Sequence, residues 1–361
     1  MDYWRGNNFA LIRVLASAQV AVVHALYWFG IEQQIRPLGR VLQYFPGVPI
    51  FFFISGLLVT RACLHTTTRD YLRNRGLRIF PALWVALLLT LLPVFLFAEC
   101  SVPSTTVNWL SWWTAQMSFA QMWTPAFLDD CWRASFNGGR WTIAVELEFY
   151  ALLPLLLLLR GSMTRVLLLG GLLAVASIGT QAWILAWFAP DAPQWLQILH
   201  ISLVPYFWIF FLGMLAYAYF DRIAPWFAGK GLWWLAAYAA TILLGRQLGW
   251  RATTSDINPL SMVVLSGLVM SVALSLRGFS DRLLRGHDFT YGLYLLHPVV
   301  FLLMARAGLG NGMANAAFAL LISCGFAAAS WFLIERPFMR GKRHSSHPIP
   351  KMAKMGTSAI S

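Results

Sequence analysis

A succession of apolar runs, each about twenty residues long and separated by arginine-bearing segments, most limits what this chain can fold into. Lipid offers the backbone no hydrogen bonds. A segment crossing it must satisfy its own N–H and C=O groups as a helix, or close into a barrel. The runs are continuous rather than alternating, so helices are the reading. Ten intervals qualify as spans: 9–29, 47–64, 79–98, 141–159, 164–189, 201–220, 231–249, 258–276, 290–306 and 315–334. Composition agrees. The chain is 59% hydrophobic and 11% charged, with a mean hydropathy of +0.63, whereas soluble domains carry about 25% charged residues. The expected fold class is an all-α polytopic membrane protein of about ten transmembrane helices.

Charge then sets the orientation. The net charge of +13 would suggest nucleic acid in a soluble protein. Here the bases lie between apolar spans, so no nucleic-acid partner is expected. With the N-terminus in the cytoplasm, 20 of the 27 Lys and Arg fall inside, as basic loops resist translocation. Ten spans bring both termini to the cytoplasmic side. Residues 1–340 read as the membrane domain and 341–361 as a basic, disordered cytoplasmic tail. The first run is followed by no small-residue cleavage site and reads as a retained span. Residues 99–140, with Trp109, Trp112, Trp113, Trp123 and Trp132, read as interfacial or re-entrant helices outside. Cys63, Cys100, Cys131 and Cys324 match no zinc or haem spacing, so no metal site is expected. Cys100 and Cys131 share the outside segment, where a disulfide and two free thiols are both open.

Ionisable groups within spans are costly and mark function by default. Arg13 and His24 lie 11 residues apart in the first span, which is about 20° around an ideal helix and about 16 Å along it. Both therefore face one side; a snorkelling Arg and a core His are the bland alternative. Arg75 and Arg78 share a helical face, and guanidinium forks suit phosphate. Ordinary positive-inside charge accounts for their basicity but not for their place before Ile79 and Pro81. Thr142, Glu146 and Tyr150 share a face at spacing four, whereas Glu148 points about 200° elsewhere and reads as structural. Ser55 beside Gly56 fits either close helix packing or an intramembrane nucleophile. His297 shares a face with Tyr294 and Thr290, fitting either a cavity wall or a bonded core histidine. Glu335, at the end of the last span, reads as a structural anchor for a basic loop.

Several of these residues sit in an ordered set of motifs. Arg13 and His24 open it. Gly47-Val48-Pro49-Ile50-Phe51-Phe52-Phe53-Ile54-Ser55-Gly56 and Arg75-Gly76-Leu77-Arg78-Ile79-Phe80-Pro81 follow. Trp141-Thr142-Ile143-Ala144-Val145-Glu146-Leu147-Glu148-Phe149-Tyr150 is next, then Tyr291-Gly292-Leu293-Tyr294-Leu295-Leu296-His297-Pro298 and Glu335-Arg336-Pro337. From residue 7 to about 338 the chain resembles the acyltransferase family 3 membrane proteins. Many members carry a second Glu directly after the first in the fourth motif; here that position is Leu147.

The resemblance implies a membrane O-acyltransferase of the bacterial inner membrane. It would move an acyl group, acetyl by expectation, from cytoplasmic acyl-CoA to a hydroxyl of an extracytoplasmic polysaccharide or lipid-linked oligosaccharide. Acetyl-CoA would be a donor substrate rather than a resident cofactor, and no fused soluble domain is expected. The resemblance implies catalysis by His24 and Glu146 and donor binding by Arg13, Arg75 and Arg78. Substrate binding would fall to Tyr150, Trp141, His297 and Tyr294. His24 would act as general base or carry the acyl group itself. Glu146 would orient its imidazole or bind the sugar. The Asn7-Asn8-Phe9 opening favours a polysaccharide acceptor by the same resemblance. The competing reading is a secondary transporter for a small anion or lipid-linked sugar, although no internal repeat is evident.

Overall fold

In a computed structural model of the protein, residues 2–97, 106–118, 140–157, 163–187, 192–250 and 255–342 are described. Among them every regular element is helical. The helices are α1 (Phe9–Trp28), α2 (Arg36–Gln43), α3 (Gly47–Leu64), α4 (Thr68–Phe97), α5 (Thr106–Gln116), α6 (Trp141–Leu157), α7 (Met163–Trp187) and α8 (Gln194–His200). They continue with α9 (Phe207–Ala218), α10 (Phe220–Phe227), α11 (Gly231–Gln247), α12 (Pro259–Leu274), α13 (Phe279–Leu284), α14 (Thr290–Arg306) and α15 (Met313–Ser330). A π turn (Trp331–Glu335) and α16 (Arg336–Met339) close the described chain. Cys100, Cys131, Trp123, Trp132 and the tail beyond Lys342 lie outside the described residues.

Each of the ten expected intervals contains a helix, but their lengths are unequal. Among the described residues four stretches pass by length and composition as able to cross a membrane: Phe9–Trp28, Arg36–Leu64, Thr164–Trp187 and Met313–Met339. The pair α9 and α10, bent by 96°, makes a fifth if it is one span. α4 carries Arg69, Asp70, Arg73, Arg75 and Arg78 in its first turns and then runs without a charged side chain from Ile79 to Phe97. Two others fall short for a visible reason. α12 and α14 are apolar but have only 16 and 17 residues. The long segment around residues 99–140 contributes α5, with Trp112 buried in it.

The interior is built around α3, which packs between α1, α6 and α9. Its contact with α9 is set by two glycines. A methyl group on Gly56 would land on the backbone carbonyl of Phe210, and one on Gly213 on that of Phe53. With hydrogens there instead, the backbones meet directly, as small residues permit in lipid. Rings fill the space on either side: Phe210 stacks on Phe52 at 4.6 Å and on Phe149 at 4.3 Å.

α1 is pinned at both ends of its buried face. At its start Asn8 donates from Nδ2 to the Ser275 carbonyl (2.5 Å) and accepts from Ser280 N (2.8 Å), tying α1 to α12 and α13. Further along, Gln19 accepts from Gly47 N and donates to the Leu42 carbonyl, both at 2.9 Å. It thereby satisfies one of the otherwise orphaned amides at the start of α3.

Gly56→Ala and Gly213→Ala should each lower the melting temperature in detergent, through an overpacking cost of about 1–3 kcal/mol. Gly179→Ala in α7, where nothing lies within 4 Å of the new carbon, should raise stability by up to about 1 kcal/mol. Equal behaviour of the three variants would refute the close α3–α9 contact.

Candidate active site

The site begins with the way α1 meets α14. Ser17 Oγ donates to the Thr290 carbonyl at 2.9 Å, and His24 Nδ1 lies 2.9 Å from His297 Nε2. Both pairs are separated by 273 residues in sequence. A constant offset means that the two helices run side by side in the same direction. One turn before the serine, Arg13 reaches Asp288 in the loop ahead of α14, at 3.3 Å. Arg13 and His24 therefore face the same neighbouring helix. A guanidinium stands at one end of the seam and an imidazole pair at the other.

The guanidinium end is an ionic cluster, partly buried at Arg13 and Asp288 and buried at Arg78 and Glu335. Asp288 is shared by Arg13 and by Arg78, which approaches to 2.7 Å. Arg78 donates with its other terminal nitrogen to Glu335 at 3.0 Å, and Ser330 Oγ donates to the same carboxylate at 2.9 Å. Glu335 is 1% exposed. The π turn holding it inserts an extra residue into the helix end, a distortion frequent at functional sites. Burial pushes the Asp288 carboxyl up, but Arg78 and Arg13 outweigh that and hold it well below the usual carboxylate range. Arg75, one turn before Arg78, lies with its guanidinium 5.6 Å from the centre of the Tyr150 ring. Its Nε is buried without a hydrogen-bond partner.

The imidazole end has a readable proton arrangement. His297 Nδ1 lies 2.9 Å from the Leu293 carbonyl, which can only accept. The proton of His297 is therefore on Nδ1, and its Nε2 is an acceptor. His24 must then donate from Nδ1, which leaves the His24 Nε2 lone pair free. His297 is fully buried whereas His24 is half-buried.

Beside this seam lies a half-open cavity, whose wall includes Arg13, Phe52, Thr142, Glu146 and Tyr294. Glu146 accepts from Ser55 Oγ at 2.6 Å and from the Tyr150 hydroxyl. Two donors suit a carboxylate that offers only lone pairs. Thr142 and Tyr294 are joined through their hydroxyls at 2.5 Å.

A family model described as an acyltransferase domain, acyltransferase family 3, matches residues 7–335. The chain belongs to that family. The protein is thus a membrane acyltransferase, and the family displaces the transporter reading. A curated relative, nodulation protein 10 of Rhizobium leguminosarum bv. viciae, is 32% identical over 355 residues, covering 92% of this chain and 93% of the relative. No solved structure matches.

Set against this geometry, the family's motif residues divide. Arg13, Glu146 and Tyr294 line the cavity; His24 and His297 do not. The expected pairing of His24 with Glu146 is replaced. His24 bonds His297, and Glu146 bonds Ser55 and Tyr150, because α14 rather than α6 lies against the His24 face of α1. Nor does His297 form a substrate wall: it stands behind His24, on a backbone carbonyl of its own helix. Trp141 packs its ring 5.0 Å from Tyr206 and 6.1 Å from Phe52 and is not part of the cavity wall. Tyr150 is buried beneath Glu146 and Arg75. Ser55 holds Glu146, Glu148 accepts from Leu203 N at 2.6 Å, and Asn8 is a structural staple. Asp288 is the residue that reading the sequence missed. Its signal was an acid immediately ahead of an apolar span, in a segment otherwise rich in arginine.

Asp288→Ala should strand two guanidiniums together and lower stability by about 3–5 kcal/mol, the cost of breaking a buried charge network. Glu335→Gln, which leaves Arg78 one carboxylate, should cost less. Thermal unfolding in detergent measures both; an unchanged melting temperature in Asp288→Ala would mean that the cluster bears no load.

Proposed function

We propose that this family member takes an acyl group, acetyl by preference, from cytoplasmic acyl-CoA. It delivers the group to a hydroxyl of an extracytoplasmic polysaccharide or lipid-linked oligosaccharide. It works in the bacterial inner membrane through ten spans, with both termini in the cytoplasm. The observation that carries the reading is the α1–α14 seam, which sets guanidiniums at one end and a free imidazole nitrogen at the other, alongside an open cavity. The excess of Lys and Arg on the cluster side supports the orientation.

In this mechanism Arg13 and Arg75 bind the donor phosphates, while Arg78, held by Asp288 and Glu335, keeps their backbones in place. The thioester reaches along the seam to His24. His24 Nε2 removes the proton of the acceptor hydroxyl as its oxygen attacks the thioester carbonyl carbon. The C–O bond forms, the C–S bond breaks, and the leaving thiolate takes the proton from His24. His297 keeps the His24 proton on Nδ1 and so keeps Nε2 basic. Glu146, Thr142 and Tyr294 offer the acceptor sugar its hydrogen bonds.

One observation favours a second assignment within the same reaction: Glu146 faces the cavity and His24 does not. In that case Glu146 is the base.

Loss of His24 should reduce acyl transfer by about 10²–10⁴-fold, with normal protein in the membrane. Mass spectrometry of surface glycans with and without the protein tests the acceptor class. Glu146→Gln with high residual activity supports His24 as base, whereas an active His24→Ala beside an inactive Glu146→Gln assigns the base to Glu146. His297→Asn, which retains an acceptor for Nδ1–H, should keep more activity than His297→Leu. Glycans that remain identical without the protein would remove the polysaccharide reading.

A further inference from the structure

Lys342, a cation that no motif contains, lies within electrostatic reach of the donor cluster. The π turn and α16 carry the chain back over α4. Arg78 Nη1 lies 3.4 Å from Met339 Sδ, and Lys342 N donates to the Met339 carbonyl at 3.1 Å. A methyl group on Gly341 would sit 3.8 Å from Leu77 Cδ1 and 4.0 Å from Arg73 Nη2. The segment thus lies on the arginine face of α4. Lys342 is half-buried there, and the charges within its electrostatic reach are Arg75, Arg78, Asp288 and Arg13.

The balance of charge around it does not close. Arg13, Arg75, Arg78 and Lys342 share this region with Asp288 and Glu335, both already engaged by arginine, and with Glu146, which lines the cavity with Arg13 and accepts from Ser55. One positive charge is left over. Arg75 adds a second sign, its buried Nε having no partner. A half-buried ammonium beside guanidiniums is unfavourable unless an anion sits among them. Burial first, then Arg75 and Arg78, bring the Lys342 ammonium down to about 8, in keeping with that crowding. A phosphate carries the missing charge and accepts from several donors at once.

We propose that Lys342 completes a four-cation phosphate site with Arg13, Arg75 and Arg78, and grips the phosphates of the acyl donor. This inference rests on the reading of the donor as a phosphorylated acyl thioester. Lys342 follows α16, which already packs on α4, so the donor phosphates sit between the two elements.

The test is steady-state kinetics of the full-length protein in phosphatidylcholine nanodiscs, with acetyl-CoA and with phosphate-free S-acetyl-pantetheine as donors. Lys342→Gln should raise KM for acetyl-CoA about tenfold, the size of a lost charge-assisted contact. It should leave kcat and the pantetheine reaction unchanged, and Lys342→Arg should keep the low KM. An unchanged KM in Lys342→Gln, with an unaltered melting temperature, overturns the proposal, as does an equal shift with both donors. An effect seen only after anionic lipid is added assigns the phosphate to a headgroup and also overturns it. Arg75→Gln separates the two levels. If it raises KM for acetyl-CoA while Lys342→Gln does not, Lys342 alone is excluded; if neither does, the donor reading itself falls.

Discussion

Everything in this site hangs on one carboxylate shared by two arginines. Asp288 sits in a loop ahead of α14 and is reached by Arg13 from α1 and Arg78 from α4. Removing any partner would leave an uncompensated charge in a poorly solvated place, so the three elements are held to one arrangement. Because α14 starts at that loop, the same contact fixes its register on α1. Ser17 against Thr290 and His24 against His297 follow at a constant offset. The chemistry at one end of the seam is therefore positioned by electrostatics at the other.

Glu335 extends the same logic to the end of the described chain. It is almost fully buried and has two donors, Arg78 and Ser330. A regular helix advances each residue by about 100°. The π turn changes that advance locally, and the carboxylate comes to lie on Arg78. The arginine is thereby clamped on both sides and acts as scaffold. Arg75, of the same type and one turn away, keeps donor capacity unspent. Two arginines that look equivalent by spacing have different tasks because only one of them has carboxylates within reach.

The imidazole pair shows how a backbone group sets chemistry. The Leu293 carbonyl accepts only, so it determines which His297 nitrogen carries a proton, and through it which His24 nitrogen is free. Glu146 is prepared differently, by two hydroxyl donors from Ser55 and Tyr150, and it opens on the cavity. The glycine contact between α3 and α9 supports this part of the site. It draws α3 and its Ser55 inward and lets Phe52 and Phe210 stack beside the cavity wall.

Much of this is legible in the sequence. Apolar runs of helical length pointed to helices, because lipid permits little else, and each of the ten intervals holds one among the described residues, although by length and composition four or five stretches qualify as spans. Helical spacing alone put Arg13 and His24 on one face and turned Glu148 away from Glu146, since a helix has a known angle per residue. The ordered motifs marked the family. Pairing was not legible. That His24 meets His297 rather than Glu146, that Asp288 holds two arginines, and that Arg78 is spent where Arg75 is not all depend on residues hundreds of positions apart. Local periodicity says which way a side chain faces along its own helix. Only the packing of α1 against α14, and of α4 against the returning C-terminal turn, decided what it faces.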